Sequence, residues 1–167
     1  MSTEITYIGL MNPKSASNVG AIMRASGCFK VDKVCYQGSR FDHARKFATD
    51  TQLASKHIAL VKVDAIVEHK PKDAKLICVE LTVGATPLPE FEHPDQAFYV
   101  FGPEDGSISQ QVIDQADEVI YIPSLNCLNL AATVNIVLYD RASKKQLINR
   151  SDEQIIRSRD RNNATKI

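Results

Sequence analysis

Three short stretches of the chain concentrate side chains able to hold or activate a ligand. Residues 12–26 (NPKSASNVGAIMRAS) carry Asn18, Gly20 and Arg24. Residues 101–109 (FGPEDGSIS) carry Gly102, Glu104 and Gly106, and residues 122–132 (IPSLNCLNLAA) carry Cys127, Leu128 and Asn129. Asn both donates and accepts hydrogen bonds, Glu accepts, and Arg presents a planar cation suited to hydroxyl and phosphate oxygens. Each stretch also has a plain structural reading. Asn18 can cap a helix, Arg24 can be a surface residue, the glycines can turn the chain beside a solvated Glu104, and Asn129 can cap the last helix. That reading is weaker for all three together, since each loop would then carry Asn, Arg or Glu by accident.

Other chemistries find less support. No Gly-x-Gly occurs, which argues against a Rossmann dinucleotide site and the common Rossmann-type methyltransferases, and the P-loop signature is missing. His43, His57, His69 and His93 show no zinc-ligand spacing, so no metal site is expected. Cys28, Cys35, Cys78 and Cys127 stand singly in apolar surroundings and read as buried, reduced thiols of a cytoplasmic protein.

The loops need elements to position them. Thr6–Leu10, Val34–Tyr36, Ile58–Val63, Lys75–Leu81, Ala97–Phe101 and Glu118–Ile122 read as strands. A helix is expected from an Asn18 cap, with Val19, Ile22, Met23 and Ser26 at helical spacing. A mixed polar helical stretch between Tyr36 and Ile58, a helix at Ser109–Ala116 and a long one from Asn129 to about Leu147 follow. Strands alternating with helices give an α/β protein with a mainly parallel sheet, whose ligand sites lie at the strand carboxyl ends. The 167 residues suit one domain over 1–150, followed by a basic tail or short helix over 151–167. No apolar run is long enough to span a membrane, and the first residues do not read as a secretory signal.

Net charge is formally zero but uneven: +3 over residues 1–50, −2 over 51–100, −6 over 101–140 and +5 over 141–167. A basic face for a polyanion would draw on Lys14, Arg24, Lys30, Arg40, Arg45 and Lys46. The C-terminal part adds Arg141, Lys144, Lys145, Arg150, Arg157, Arg159 and Arg161.

In order and spacing, the three stretches resemble the motifs of the SPOUT superfamily, in its SpoU (TrmH-like) branch of RNA 2′-O-ribose methyltransferases. The first motif matches through Asn18, Gly20 and Arg24, the second through Gly102, Glu104 and Gly106. The third matches through Ile122-Pro123 and Leu128-Asn129. The resemblance spans about Ile5 to Arg141. It implies flanking helices and a C-terminal deep trefoil knot, which chain physics alone would not suggest because true knots are rare. It implies S-adenosylmethionine as cofactor, bound in a bent shape largely by backbone groups. By position the cofactor-binding residues would be Leu81, Thr82, Gly84, Gly102, Glu104, Gly106, Ile122, Cys127 and Leu128. The implied acceptor is a ribose 2′-hydroxyl of tRNA or rRNA, with tRNA favoured because the chain looks like the minimal type.

Methyl transfer from a sulfonium to a hydroxyl is an in-line displacement that needs no metal, only alignment and an activated oxygen. The resemblance makes Arg24, Asn18, Glu104 and Asn129 the catalytic group. A guanidinium with a pKa above roughly 12 rarely gives up its proton. Arg24 is therefore expected to orient the 2′-hydroxyl and hold the neighbouring phosphate. Glu104 and Asn129 are expected to fix Arg24 and the methyl donor, and Asn18 to shape the RNA side. Cys127 stands where the family usually has Ser, and the stretch from Pro123 to Cys127 is short for the family. An inactive SAM- or RNA-binding paralogue is the rival that Cys127 leaves open, and an unrelated α/β cofactor-binding protein is a third. A homodimer is expected, with the apolar faces of Leu130, Val134, Val137 and Leu138 and of Val19, Ile22 and Met23 partly covered by the second subunit.

Overall fold

The computed structural model describes residues 4–45 and 58–167. In chain order its strands are β1 (Ile5–Met11), β2 (Lys33–Gln37), β3 (Ala59–Val63), β4 (Lys75–Val79), β5 (Thr86–Pro87), β6 (Gln96–Phe101) and β7 (Glu118–Tyr121). The helices are α1 (Ala16–Cys28), α2 (Arg40–Arg45), α3 (Gln110–Ile113), α4 (Leu130–Lys144) and α5 (Asp152–Ser158), with 3₁₀ turns at Ile66–His69 and Leu88–Glu90. The strands form one sheet in the order β3-β2-β1-β6-β4-β7-β5, and each pairing is parallel.

β6 is central because its sequence suits burial on both faces. Ala97, Tyr99 and Phe101 pack with Ile8, Leu10 and the inner sides of α1 and α4, while Phe98 and Val100 pack with Leu76, Ile66 and Val112 across the sheet. The fold is therefore a parallel sheet between two helical layers, as the alternation of elements predicts.

Several expectations change. Ser15, not Asn18, caps α1: its Oγ accepts from Asn18 N at 3.3 Å, which leaves the Asn18 side chain free for tertiary contacts. β4 ends at Val79 and β7 at Tyr121, so Leu81 and Ile122 lie in loops. Of the polar stretch between Tyr36 and Ile58, Arg40–Arg45 is helical, and residues 46–57, with Lys46, lie outside the described residues.

The apolar faces assigned to a dimer contact are covered within the chain. Val19, Ile22, Met23, Leu130, Val134, Val137 and Leu138 are all buried against the sheet. The large apolar side chains that α4 leaves exposed are Ile136 and Tyr139, with the Phe29 ring edge-on to Tyr139. Cys35 and Cys78 are buried as expected, but Cys28 and Cys127 are exposed, and all four are free.

Three cations assigned to a polyanion-binding face instead hold partners within the chain, and only Arg141 of them is buried. Arg141 is 1% exposed, and its guanidinium donates to Thr6 Oγ1, Glu4 Oε2 and the Pro94 and Asp95 carbonyls. Lys144 donates to the Leu88 and Phe91 carbonyls and pairs with Asp140, and Lys145 pairs with Glu4 and Asp95. These bonds tie α4 to the segment entering β6. No helix among the described residues is long and apolar enough to cross a membrane.

Candidate cofactor cleft and the side chains beside it

The carboxyl ends of β4, β6 and β7 open into one cleft. Its floor is Val79, Phe101 and Tyr121, and its walls come from Glu80 and Leu81, from Gly102, Pro103, Glu104 and Gly106, and from Ile122, Ser124, Cys127 and Leu128. Leu130 and Thr133 of α4 complete it. Three loops converge here because their parent strands are neighbours, with Glu80 N donating to Ile120 O at 2.9 Å where β4 and β7 diverge. Gly102 lets the second loop fold back tightly, since a Cβ there would lie 3.1 Å from Ile108 N.

Among the residues read from sequence, Leu81, Gly102, Glu104, Gly106, Ile122, Cys127 and Leu128 line this cleft, whereas Thr82 and Gly84 do not. Val79, Glu80, Phe101, Pro103, Tyr121, Ser124, Leu130 and Thr133 were missed. Pro103 and Ser124 lay inside stretches already singled out, so their position was the available signal. Glu80 was hidden inside an apparent strand ending at Leu81.

Beside the cleft the four candidate catalytic residues fall into three and one. Glu104 accepts from Lys14 N at 2.8 Å, from Ser15 N at 3.0 Å and from Asn18 Nδ2 at 3.0 Å. Asn18 Oδ1 in turn accepts from Asn129 Nδ2 at 3.0 Å, while Asn129 Oδ1 caps α4 through Ala131 N and Ala132 N. The Glu104 carboxylate thus sits at the amino end of α1, where the unpaired N–H groups and helix dipole favour an anion and where α1 has no acidic residue of its own. Burial works to raise the Glu104 pKa, but the bonds from Asn18, Lys14, its own backbone and Ser15 prevail and hold the carboxyl below its usual range.

Arg24 stands apart. It is exposed on α1, in the outer stripe with Ser17, Gly20, Ala21 and Cys28, and has no hydrogen bond or ion pair among the described residues. Glu104 and Asn129 hold Asn18 rather than Arg24, so the expected fixing of Arg24 by these two is not what the fold provides. The reason is distance along the helix: Asn18 lies in the first turn, where the two loops meet α1, and Arg24 is six residues further on.

A second tie runs alongside. Arg40 of α2 donates twice to Asp105 and twice to the Asn12 carbonyl, and Lys14 lies 3.6 Å from Asp105. The loops 12–15 and 102–106 are therefore joined through both adjacent acidic residues.

Known proteins share this architecture. The A. aeolicus TrmH/SpoU tRNA modifying enzyme is 22% identical, with a TM-score of 0.72 over 93% of this chain and 85% of that one. The SpoU methyltransferase AviRb from Streptomyces viridochromogenes, in complex with AdoMet, is 18% identical with a TM-score of 0.70, over 87% of this chain but only 60% of its own. A structure described as bearing on the 2-OH methylation of C/U34 on tRNA is 18% identical with a TM-score of 0.68, over 87% of this chain and 99% of that one. No curated protein sequence matches. The model of the SpoU rRNA methylase family matches residues 6–139, which include every side chain of the cleft and of the Glu104–Asn18–Asn129 chain. The chain belongs to the SpoU rRNA methylase family.

Proposed function

We propose that the protein transfers a methyl group from S-adenosylmethionine to a ribose 2′-hydroxyl of RNA, tRNA in preference to rRNA. One observation carries the reading. A cleft at the ends of β4, β6 and β7 is joined through Glu104, Asn18 and Asn129 to the helix that presents Arg24. The cleft suits the cofactor by its chemistry. Its floor and one wall are apolar, as an adenine needs, and its lining includes Glu80 and Glu104 with no Lys or Arg to repel a sulfonium. The cofactor supplies the electrophilic methyl.

The protein's own contribution is placement. Glu104 and Asn129 fix the amino end of α1 against two cofactor loops. Arg24 orients the acceptor hydroxyl and neutralises an adjacent phosphate, and Asn18 holds the register between donor and acceptor sides. Cys127 lines the cleft where the family has Ser; we read its contribution as backbone contact.

We also infer the family's trefoil knot through the loops 102–106 and 122–128, supported by their convergence on one cleft. A homodimer is part of the reading, supported by the exposed Ile136 and Tyr139 rather than by the buried faces. Residues 1–150 form the methyltransferase domain and 151–167 a basic extension, in a cytoplasmic protein with free thiols. The test is transfer of labelled methyl from S-adenosylmethionine to unmodified tRNA and rRNA, followed by nucleoside mass spectrometry. A 2′-O-methylated nucleoside is expected, and a base-methylated product or no product would overturn the reading.

A further inference from the structure

The cleft has six polar side chains in its lining, and most of them are already engaged. Ser124 Oγ donates to the carbonyls of Ile122 and Asn126, and Thr133 Oγ1 to that of Asn129. Glu104 takes its three donors from the 14–18 segment, away from the cleft loops. Glu80 differs. Its Oε1 accepts from Leu81 N at 3.0 Å and its Oε2 from Ile108 N at 2.8 Å. One donor sits on each oxygen, and a carboxylate oxygen accepts two, so both keep a free lone pair in the cleft.

We propose that Glu80 is a ligand-contacting residue whose carboxylate takes the two ribose hydroxyls of the cofactor's adenosine half; this rests on the cofactor reading above. A vicinal diol offers two adjacent O–H donors, and a carboxylate offers two adjacent acceptors. An acidic residue just beyond a parallel strand is how other open α/β sheets hold a nucleoside ribose. Glu80 follows the last residue of β4 and is half-buried on the wall of the cleft. One backbone donor is the next residue of its own loop and the other comes from the loop after β6, so the carboxylate is oriented before ligand arrives and loses little freedom on binding.

The experiment is a cycle between one protein substitution and one ligand deletion, read by calorimetry. The full chain and Glu80→Gln are titrated with S-adenosylhomocysteine and with its 2′-deoxy and 3′-deoxy forms, after urea unfolding confirms that both proteins are folded. In the wild type, removing either hydroxyl is expected to weaken binding on the order of tenfold. In Glu80→Gln, binding of the parent ligand falls by a similar factor, and removing a hydroxyl then costs less than about twofold. Equal losses in both proteins overturn the assignment, including the case where Glu80→Gln weakens the parent ligand alone, which would place the contact at the amino-acid end. A wild type that binds none of the ligands overturns the cofactor reading itself and this assignment with it.

Discussion

Asn129 Nδ2 donates to Asn18 Oδ1 at 3.0 Å, although the two residues are 111 positions apart in the chain. The bond fixes which way the Asn18 amide faces, because its Nδ2 must then point at the Glu104 carboxylate. Three segments from distant parts of the sequence are thereby held in one register.

Replacing Asn18 with Ala removes both bonds at once. A loss of about 1–2 kcal/mol in unfolding free energy is expected, from one half-buried hydrogen bond to a charged group and one exposed hydrogen bond to an amide. Methyl transfer should fall by at least about tenfold, since a misplacement of about 1 Å is enough to slow an in-line reaction on the order of 100-fold. Urea unfolding and single-turnover kinetics check the two parts.

Arg24→Ala should behave oppositely. Arg24 is exposed and has no hydrogen bond or ion pair among the described residues, so stability should change by less than about 0.5 kcal/mol. Methyl transfer should be lost while S-adenosylhomocysteine affinity stays within about twofold, since Arg24 is absent from the cleft lining. A variant that loses affinity in step with activity would put Arg24 in the cofactor site.

Acid should destabilise the protein in two separate windows. His93 is buried between the Tyr99 hydroxyl at 2.5 Å and Asp140 at 2.8 Å. Burial, opposed by Asp140, pushes its pKa from 6.5 down to about 4. The folded state therefore keeps His93 neutral while the unfolded chain takes up the proton. Its contribution is complete above pH 6.5, declines as pH falls and is gone near pH 4, with an upper limit of roughly 3 kcal/mol. Glu104, held below its ordinary 4.5, contributes above that value and loses its contribution as pH falls through the lower folded pKa. Urea unfolding at a series of pH values should show His93→Gln flattening the upper window and Glu104→Gln only the lower.

The C-terminal extension should matter to RNA and not to folding. α5 buries none of its residues, and Arg141, Lys144 and Lys145 already hold acidic partners within the chain, which leaves Arg150, Arg157, Arg159, Arg161 and Lys166 as the C-terminal cations for RNA. Truncation after Asn149 should leave thermal unfolding nearly unchanged and weaken RNA binding. Each phosphate contact removed should lower the slope of log K against log salt by about 0.7 to 0.9. Equal RNA affinity with and without the tail, at two salt concentrations, would show that it plays no part.

Much of this was legible in the residues. Short apolar runs marked six of the seven strands, and the three loops fell at strand carboxyl ends where a parallel sheet puts its ligands. β5 was not legible, because Thr86–Pro87 is too short to show a period and its proline reads as a turn. The Asn18 cap failed because the helix begins three residues earlier, where Ser15 caps it, and sequence does not reveal that an acid from position 104 will claim the Asn18 side chain. The apolar stripes of α1 and α4 were read as partly a dimer surface because a one-dimensional pattern gives hydrophobicity without saying which surface covers it. Arg141 looked like surface charge for the same reason, since its buried partners are two carbonyls and side chains from the first few residues.

The place of β6 bears on how the chain must fold. Its partners are β1 and β4, and β4 otherwise pairs only with β7. A growing chain that has emerged as far as residue 95 can join β1, β2 and β3, but it leaves one side of β1 open and β4 with neither of its neighbours. Such long-range parallel pairing is slow and exposes unpaired edges on the way. Chaperone demand should therefore peak before Phe101 leaves the ribosome, because one late strand converts a three-stranded fragment and a lone strand into a continuous sheet.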